Sequence, residues 1–377
     1  MTGDAACRGI RDHDADGTIG MFTTEFHEPY ARPPLTKALW KDKEESSVFR
    51  GTPDLDVELY RGRAIVALDL ANHTATDGAG ESHSFEMLLL ATGGTPRELP
   101  NGGDDVIYYR TLDDYRRLRA IAGDGVRAAV VGGGFIGSEI AAALAMNGCD
   151  VTIVFPNAGI GAKLFPAELS SFVNDYYREK GVTVLPDELV EDAADGTVRT
   201  KQGTTVEADV IVAGLGIVPN TDLAESVGLE VDDGIFVDEY GRAGGRADVF
   251  AAGDVARFPV SVLGGTRRVE HEDHANTHGR AVGANMAGAD TPYVHLPFFY
   301  SDLFELGYEA VGDVDSRLDQ VAEWAEPNRK GVVGYVDGDG RARGFLLWDV
   351  WDKVDSGREL IGSGAVVDSG VLRSLLD

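Results

Sequence analysis

The segment VRAAVVGGGFIGSEIAAALAMNGCDVTIVFP, which begins at Val126, constrains the fold more than any other part of the chain. An apolar strand leads into the glycines, an apolar helix follows them, and a second strand ends at Phe155. This order is the context that a dinucleotide-binding fingerprint requires. There Gly132 makes the tight bend, Gly134 admits the pyrophosphate, and Gly137 lets the helix pack on the strand. The segment predicts a Rossmann-type unit, with a glycine turn that binds no ligand as the alternative.

The opening of the chain resembles the second half of the same unit. Laid under it, Gly3 falls on Gly137, Ile10 on Leu144, and GTIGMF on DVTIVF. The repeat lacks a counterpart of the first strand and of the two leading glycines, a stretch of roughly ten residues in βαβ geometry. We therefore expect either a truncated or mis-assigned start, which would bind its dinucleotide poorly, or a chance likeness of two amphipathic segments.

Composition narrows the class of protein. A chain of 377 residues with 43% hydrophobic content exceeds what one core usually organises, so we expect two or three domains. The net charge of −29, from 63 acidic and 34 basic residues, repels nucleic acid and anionic membrane surfaces. A solubility coat and a cytoplasm at high salt both explain this charge. No membrane span and no signal peptide are predicted, so a cytoplasmic location is expected by default.

Seven stretches occur in an order that resembles a known family: PYARPPLTKALW, LLLATGGTPR, VVGGGFIGSEIA, AGLGIVPN, VFAAGDVA, RRVEHEDHANTHGR and SDLFELGYEAVG. Along essentially its whole length the chain resembles the two-dinucleotide flavoprotein reductases, among them apoptosis-inducing factor and the oxygenase-type ferredoxin reductases. The resemblance implies an α/β fold with two Rossmann-like dinucleotide-binding domains of the three-layer ββα type and a C-terminal α+β interface domain. It places an FAD-binding domain at residues 1–105 and 224–292, an NAD(P)-binding domain inserted at 106–223, and the interface domain at 293–377.

The last part of the chain has a pattern of its own. From about residue 293, apolar and polar residues alternate on both sides of a DGDG turn. This alternation predicts antiparallel sheet.

The resemblance implies which residues meet FAD. Arg32 and Lys37 belong to a loop that its paired prolines hold extended, and would lie at the pyrophosphate and beside the isoalloxazine ring. Glu25, just past a strand end, is the candidate acid for the adenosine ribose, with Thr24 as the neighbouring alternative. The other implied FAD residues lie in the truncated fingerprint, in two glycine turns and at the start of a late helix: Gly3, Thr92, Gly93, Gly253, Asp254, Glu270 and His271.

That late helix, which starts near Glu270, also raises a metal-site alternative through His271, Glu272, His274 and His278. His274 and His278 share a helix face. HEDH is not the H-E-x-x-H spacing of zincins and no further ligand is evident, so we predict no metal site. The resemblance implies instead that the helix N-terminus points at the pyrimidine edge of the flavin, where its partial positive charge favours the anionic reduced ring.

A second set of residues is implied for the nicotinamide nucleotide. Asn157 follows the strand VTIVF, where an acid would bond the ribose hydroxyls, and brings no positive charge for a 2′-phosphate, so NADH is favoured over NADPH. Tyr300, in front of the SDL triplet, would stack near the nicotinamide, with core packing as the alternative. Lys37 and Glu139 would form a partly buried ion pair beside flavin N5 as the catalytic residues. The remaining implied contacts are Gly132, Gly134, Phe135, Ile136, Gly137, Lys163, Gly216 and Glu309.

These features predict an FAD-dependent oxidoreductase that passes hydride from NAD(P)H to FAD, and electrons to a ferredoxin-like protein or another acceptor. The alternative is a flavoprotein like apoptosis-inducing factor, which responds to NADH by a slow change of conformation or dimerisation. A disulfide reductase is disfavoured because Cys7 and Cys149 form no C-x-x-C pair. The sequence does not decide whether the protein is a homodimer. Its acidic surface should repel an acidic ferredoxin at low salt.

Overall fold

The chain folds into two compact units, each assembled from three stretches of sequence. The computed structural model describes residues 1–376. Unit 1 comprises Met1–Arg32, Glu45–Thr95 and Val218–Pro297, and unit 2 comprises Pro33–Glu44, Pro96–Ile217 and residues 298–376. None of the helices in the described chain is both long enough and apolar enough to cross a bilayer. The division into three domains stays a prediction.

The described residues form eight α-helices and 25 β-strands, numbered in chain order. The helices are α1 (Thr2–Arg11), α2 (Leu112–Ile121), α3 (Phe135–Met146), α4 (Ala167–Glu179), α5 (Asp222–Ser226), α6 (Glu272–Met286), α7 (Val354–Ser363) and α8 (Ser369–Leu376). The strands are β1 (Ile19–Thr23), β2 (Val57–Arg61), β3 (Ile65–Asp69), β4 (Thr74–Asp77), β5 (Ser82–Ser84), β6 (Leu88–Leu90), β7 (Gly94–Pro96), β8 (Val106–Tyr108), β9 (Arg127–Val131), β10 (Asp150–Val154), β11 (Thr183–Leu185), β12 (Val190–Ala194), β13 (Thr197–Thr200), β14 (Thr205–Glu207), β15 (Val210–Ala213), β16 (Ile217–Pro219), β17 (Ile235–Phe236), β18 (Val249–Ala251), β19 (Ala256–Pro259), β20 (Thr266–Arg268), β21 (Phe298–Leu303), β22 (Leu306–Gly312), β23 (Asp319–Glu326), β24 (Lys330–Val336) and β25 (Ala342–Trp348).

Unit 2 is organised by a parallel sheet in the order β11-β10-β9-β15-β8. β9 leads into α3 and α3 into β10, so the predicted strand–turn–helix–strand unit is confirmed. β9 lies between β10 and β15, and its residues Ala128–Val131 are all buried, as expected for the central strand of a parallel sheet. The glycine turn therefore sits at the carboxyl end of a central strand, where open α/β sheets bind their ligands.

The strands of unit 1 pair in four small sheets. β1 runs parallel to β2, and β6 runs parallel to β18. β3, β4 and β5 form an antiparallel meander, and β17, β19 and β20 form a three-stranded mixed sheet. β6 and β18 are the two short apolar strands predicted to run into glycine turns, and both are present.

The parallel ladder that is continuous in unit 2 is interrupted in unit 1. β1, the repeat counterpart of β10, pairs with β2 as β10 pairs with β11. Within residues 1–376, no strand joins the β1·β2 pair to the β6·β18 pair. No residue of β1 is buried, whereas Val151, Ile153 and Val154 of β10 are.

Helices α1 and α6 of unit 1 cross at very short range. A Cβ on Gly283 of α6 would lie 2.0 Å from the carbonyl oxygen of Ala6, and a Cβ on Gly9 of α1 would lie 2.0 Å from the carbonyl oxygen of Arg280. Only glycine allows two backbones to approach this closely. α6 begins at Glu272 with His271 as its N-cap, which confirms the helix predicted near Glu270.

The C-terminal residues form an antiparallel sheet in the order β21-β22-β25-β24-β23. α7 packs on β22 and β25, and α8 packs on β23 and β24. β24 and β25 are joined by Asp337–Gly340, the DGDG turn. The antiparallel sheet expected from the alternation is therefore present, and the overall class is α/β.

Candidate dinucleotide and catalytic site

The glycine turn of unit 2 has the backbone geometry that a dinucleotide requires. Gly132 has a φ of 117°, and a Cβ on it would lie 2.4 Å from the carbonyl oxygen of Gly214. A Cβ on Gly137 would lie 1.9 Å from the carbonyl oxygen of Gly132, so α3 can pack on the turn only through glycine. Gly134, the N-cap of α3, has open space where a Cβ would stand. The first amides of α3, at Phe135 and Ile136, can therefore receive a pyrophosphate.

Glu139, two residues beyond this turn, is half of a buried ion pair. Lys37 Nζ lies 2.5 Å from Glu139 Oε1, and the two side chains are 12% and 5% exposed. Lys37 Nζ also lies 5.2 Å from the centre of the Tyr300 ring, a cation–π distance. The predicted ion pair is present. Together with Tyr300 it forms a cluster in unit 2 of three residues from three separate motifs. The catalytic role of the pair stays a prediction.

Two hydroxyl groups that sequence reasoning did not single out complete this cluster. Thr36 Oγ1 donates to Glu139 Oε2 at 2.5 Å, and Ser301 Oγ donates to Glu139 Oε1 at 2.6 Å. Both residues are buried. Each stands next to a residue that was predicted, Lys37 or Tyr300. The available signal was a polar residue inside an apolar stretch, PPLTK in one case and FFYSDL in the other.

Glu309 lies on β22 directly opposite Tyr300 on β21. Burial raises the pKa of Glu309, although the backbone amide of Asp352, which donates to Glu309 Oε2 at 3.2 Å, works in the opposite direction. Glu309 therefore lies on the strand that pairs with the strand of Tyr300. Its contact with a nucleotide stays a prediction.

The loop after β10 carries Asn157 and is hydrogen-bonded to α4. The carbonyl oxygen of Asn157 accepts a bond from the amide of Asp187 at 3.0 Å. Buried Asn174 of α4 accepts from the amide of Ile160 and donates to the carbonyl oxygen of Ala158, both at 3.0 Å. The loop is thus held by bonds to Asp187 and to Asn174, and such a fixed loop suits the binding of a ribose. Of the other implied contacts, Lys163 is exposed and Gly216 has a φ of 81°.

In unit 1, Glu25 and Arg32 form an ion pair with Arg32 Nη2 2.6 Å from Glu25 Oε1. Tyr30 donates its hydroxyl to the same carboxylate. Burial alone would raise the pKa of Glu25, but Arg32 and the Tyr30 hydroxyl outweigh it, so the pKa is lowered. Thr24, the neighbouring alternative, is exposed, whereas Glu25 is partly buried. The acid and the arginine expected at FAD therefore meet, and the carboxylate is held charged.

Asn220, at the end of the motif AGLGIVPN, is hydrogen-bonded to Thr92 and Gly93 of the motif LLLATGGTPR. Thr92 Oγ1 donates to the carbonyl oxygen of Asn220 at 2.7 Å, and Asn220 Nδ2 donates to the carbonyl oxygen of Thr92 at 2.9 Å. The amide of Asn220 donates to the carbonyl oxygen of Gly93 at 2.9 Å. Asn220 was not predicted as a functional residue, although the motif AGLGIVPN ends on it. Gly3 lies in the first turn of α1, beside Met21 of β1.

The turn that carries Gly253 and Asp254 is held by a histidine of α6. The amide of Gly253 donates to His278 Nδ1 at 3.3 Å, so this nitrogen is unprotonated and the proton of the neutral ring is on Nε2. Burial lowers the pKa of His278 to about 3. Burial likewise lowers the pKa of His271, the N-cap of α6, to about 4. Glu270 is exposed and paired with Arg268.

The metal-site alternative gains no support in the structure. Between residues 1 and 376, one group of carboxylate and imidazole side chains has the spacing of metal ligands, and it consists of Asp77, Glu81 and His83. Asp77 already accepts bonds from Arg63, His83 and two backbone amides. The histidines of α6 are not in that group.

Substitution of His278 by asparagine should change the pH dependence of stability. The unfolded chain binds a proton at this residue below pH about 6.5, whereas the folded chain does so only near pH 3. Below 6.5 the unfolded state thus binds more protons, so stability falls with falling pH by about 1.4 kcal/mol per pH unit for this residue. Asparagine keeps an acceptor near the position of Nδ1 but does not titrate. The slope of unfolding free energy against pH, from denaturant melts between pH 6 and 5, should therefore become shallower by about this amount. The exposed control His13→Asn should leave it unchanged, and an equal slope in both variants would contradict the assignment.

The chain is similar to known proteins along most of its length. Residues 2–279 match the family model of pyridine nucleotide-disulphide oxidoreductases, and residues 282–330 match that of the mitochondrion-associated C-terminal part of apoptosis-inducing factor. The chain is 33% identical to apoptosis-inducing factor 1 of Dictyostelium discoideum over 93% of this chain and 75% of that protein. It is also 33% identical to the ferredoxin–NAD(+) reductase component of the anthranilate 1,2-dioxygenase system of Burkholderia cepacia, over 95% of this chain and 91% of that one.

The fold agrees with a solved structure, that of the covalent complex of putidaredoxin reductase with putidaredoxin. The TM-score is 0.91 at 27% identity, and the match covers 100% of this chain and 93% of that chain. The predicted arrangement of two dinucleotide-binding folds and a C-terminal sheet is therefore confirmed.

Proposed function

Because the chain belongs to the pyridine nucleotide-disulphide oxidoreductase family and is an FAD-dependent NAD(P)H oxidoreductase, we propose that it is the NADH-linked reductase of a ferredoxin-type protein. FAD, when bound, supplies the chemistry that accepts a hydride and releases electrons singly. The observation that carries the proposal is the cluster of Lys37, Glu139 and Tyr300, in which a largely buried ion pair lies beside the tyrosine ring and Glu139 stands two residues beyond the dinucleotide turn.

In this proposal the protein contributes positioning and charge. The N-terminus of α3 binds the nicotinamide nucleotide, and Tyr300 orients its reactive end. Lys37 presents a fixed positive charge to the site, and Glu139 keeps that ammonium group in place. Glu25 and Arg32, with Asp254, hold the two halves of FAD. Exclusion of water around the pair strengthens its field, because a charge acts more strongly in a low-dielectric site.

The electron acceptor is tested by turnover. The FAD-loaded chain, supplied with NADH and a [2Fe–2S] ferredoxin, should reduce the ferredoxin at roughly 1 s⁻¹ or faster. The assay is run at low and at molar KCl, because screening relieves repulsion between two acidic proteins. Fast reduction of a small acceptor such as ferricyanide together with no reduction of the ferredoxin at either salt concentration would contradict the proposed partner.

The second candidate function is a slow, NADH-responsive binding protein. The match of residues 282–330 to the C-terminal part of apoptosis-inducing factor favours it. The same assay separates the two functions. Slow turnover with every acceptor and a long-lived absorbance at long wavelength after addition of NADH would favour this candidate over a reductase.

A disulfide reductase fits the residues poorly. Cys7 and Cys149 are the two cysteines of the chain, and both thiols are buried and free. Burial raises the pKa of Cys7 to about 12, so its thiolate is not available at neutral pH. Burial also raises the pKa of Cys149, so neither thiol has the lowered pKa of a reactive cysteine.

We expect kcat/KM with NADH to exceed that with NADPH by at least about tenfold, a difference of about 1.4 kcal/mol. Asn157 offers no positive charge to a 2′-phosphate, and Asp187, exposed and bonded to the same loop, adds a negative one. Asn157→Arg should shift the ratio toward NADPH by about tenfold, because a guanidinium group binds phosphate. Asn101→Arg adds the same charge on another exposed loop and should leave the ratio unchanged. An equal ratio in both variants would remove Asn157 from the ribose site.

A further inference from the structure

The carboxylate of Glu139 has more partners than an ion pair requires. Lys37 Nζ and Ser301 Oγ contact Oε1, and Thr36 Oγ1 contacts Oε2. An ionised carboxylate only accepts hydrogen bonds, so both hydroxyls must donate to it. All three distances lie between 2.5 and 2.6 Å. Glu139 is therefore held at both oxygens, from two segments that are far from it in sequence.

The two segments give the hydroxyls fixed positions. Thr36 follows the paired prolines, which form a 3₁₀ turn at Pro33–Leu35 and not the extended loop expected from the sequence. In this turn the amide of Thr36 donates to the carbonyl oxygen of Pro33 at 3.2 Å. Ser301 lies in β21, is completely buried, and stands opposite Tyr308 of β22. A carboxylate in contact with two rigid donors has one favoured orientation, and that orientation determines where Lys37 Nζ is held.

We propose that Thr36 and Ser301 are positioning residues, which orient the Glu139 carboxylate and through it hold the Lys37 ammonium group over the Tyr300 ring. This inference rests on the proposed function for its kinetic consequence, but not for its structural one. With both hydroxyls removed, Oε2 has lost the donor Thr36 and Oε1 keeps Lys37 alone. The carboxylate can then rotate, and the lysine side chain gains freedom.

The structural consequence is tested by lysine labelling of the full chain, which does not depend on bound FAD. Thr36→Val and Ser301→Ala, singly and combined, are treated with an amine-reactive reagent, and modification of each of the eight lysines is followed by mass spectrometry. In the double variant Lys37 should react roughly tenfold faster, the factor expected for loss of hydrogen bonds to a charged group. Lys180, which pairs with Glu305 instead, should keep its rate and thus report on the fold.

The kinetic consequence is tested by stopped-flow reduction of the FAD-loaded variants with NADH. Each single variant should lower the limiting rate of flavin reduction by roughly tenfold, with less change in the dissociation constant of NADH. Thr36→Ser keeps the hydroxyl that Thr36→Val removes, so its limiting rate should stay close to that of the parent. The matched control is Thr200→Val, which removes another buried threonine hydroxyl that donates to a glutamate carboxylate at 2.5 Å. This control should change neither the reactivity of Lys37 nor the rate.

The outcomes separate the inference from the function on which it draws. Unchanged labelling of Lys37 in the double variant would overturn the positioning role. Faster labelling together with an unchanged limiting rate would support the positioning role and contradict the role proposed for Lys37. Faster labelling of Lys37 and Lys180 alike would show general loosening and would also overturn the inference.

Discussion

Lys37→Ala should lower the limiting rate of flavin reduction by NADH by roughly 10²-fold, while NADH still binds. The side chain supplies the fixed positive charge of the cluster, and alanine leaves no group that could replace it. Because an interaction used mainly in the transition state affects rate more than binding, the loss should fall on the rate. Stopped-flow absorbance at several NADH concentrations measures both quantities.

The same substitution should destabilise the protein, because the buried Glu139 side chain would be left without its cationic partner. Loss of one partner of a buried pair costs about 3–5 kcal/mol, reduced here by the hydroxyls that remain bonded to the carboxylate. The double variant Lys37→Ala with Glu139→Gln should recover much of this stability and none of the rate. Lys180→Ala, a control at a surface ion pair, should change neither quantity markedly. Flavin reduction at the parent rate in Lys37→Ala would remove Lys37 from the catalytic site.

Gly283→Ala should destabilise unit 1 by about 3 kcal/mol, at the upper end of what overpacking costs. The added Cβ would lie 2.0 Å from the carbonyl oxygen of Ala6 and 2.7 Å from its Cα, and both of these atoms belong to backbone. The clash cannot be relieved by a side-chain rotation, so α1 must move away from α6. Denaturant melts should show the loss, and the FAD content of the purified protein should fall with it.

The control for this prediction is Gly362→Ala in α7. Gly362 is exposed, and apart from its own helix backbone and chain neighbours no heavy atom lies within 4 Å of where its Cβ would be. Alanine should therefore stabilise the chain slightly, by roughly 0.5–1 kcal/mol, because it raises helix propensity. Equal stability of the Gly283→Ala and Gly362→Ala chains would show that α1 and α6 can separate without cost.

The parts of the fold that could be predicted are those whose cause is local. The turn around Gly132 was predictable because its glycines, at fixed spacing, occupy positions where a side chain would clash with backbone. The structure shows these close approaches at Gly132 and Gly137. The C-terminal antiparallel sheet was predictable from alternation on both sides of a tight turn. The helix from the start of the chain was also predicted, but its tight crossing with α6 was not, because Gly9 and Gly283 are 274 positions apart and no pattern connects them.

The candidate site divides in the same way. Lys37, Glu139 and Tyr300 were named through resemblance, since composition and spacing say nothing of an ion pair between residues so far apart. Thr36 and Ser301 were missed because a single hydroxyl has no pattern, and its role depends on a tertiary partner 103 or 162 residues away. Asn220 was missed for the same reason, and His278 was named only for the metal-site alternative, not for the bond that it accepts from the Gly253 amide. Their side chains bond backbone groups of distant turns, and such bonds leave no periodicity in a sequence.

The interrupted ladder of unit 1 has a consequence for amide hydrogen exchange. A strand paired on both sides exchanges its amide protons only when a large part of the sheet opens, whereas a strand in a two-stranded pair exchanges through a small local fluctuation. β9, between two neighbours, belongs to the first class, and β1 and β6 belong to the second. The amides of β1 and β6 should thus lose their protons much sooner than those of β9. The two nucleotide-binding units of the chain would then differ less in average fold than in the lifetime of the hydrogen bonds between their strands.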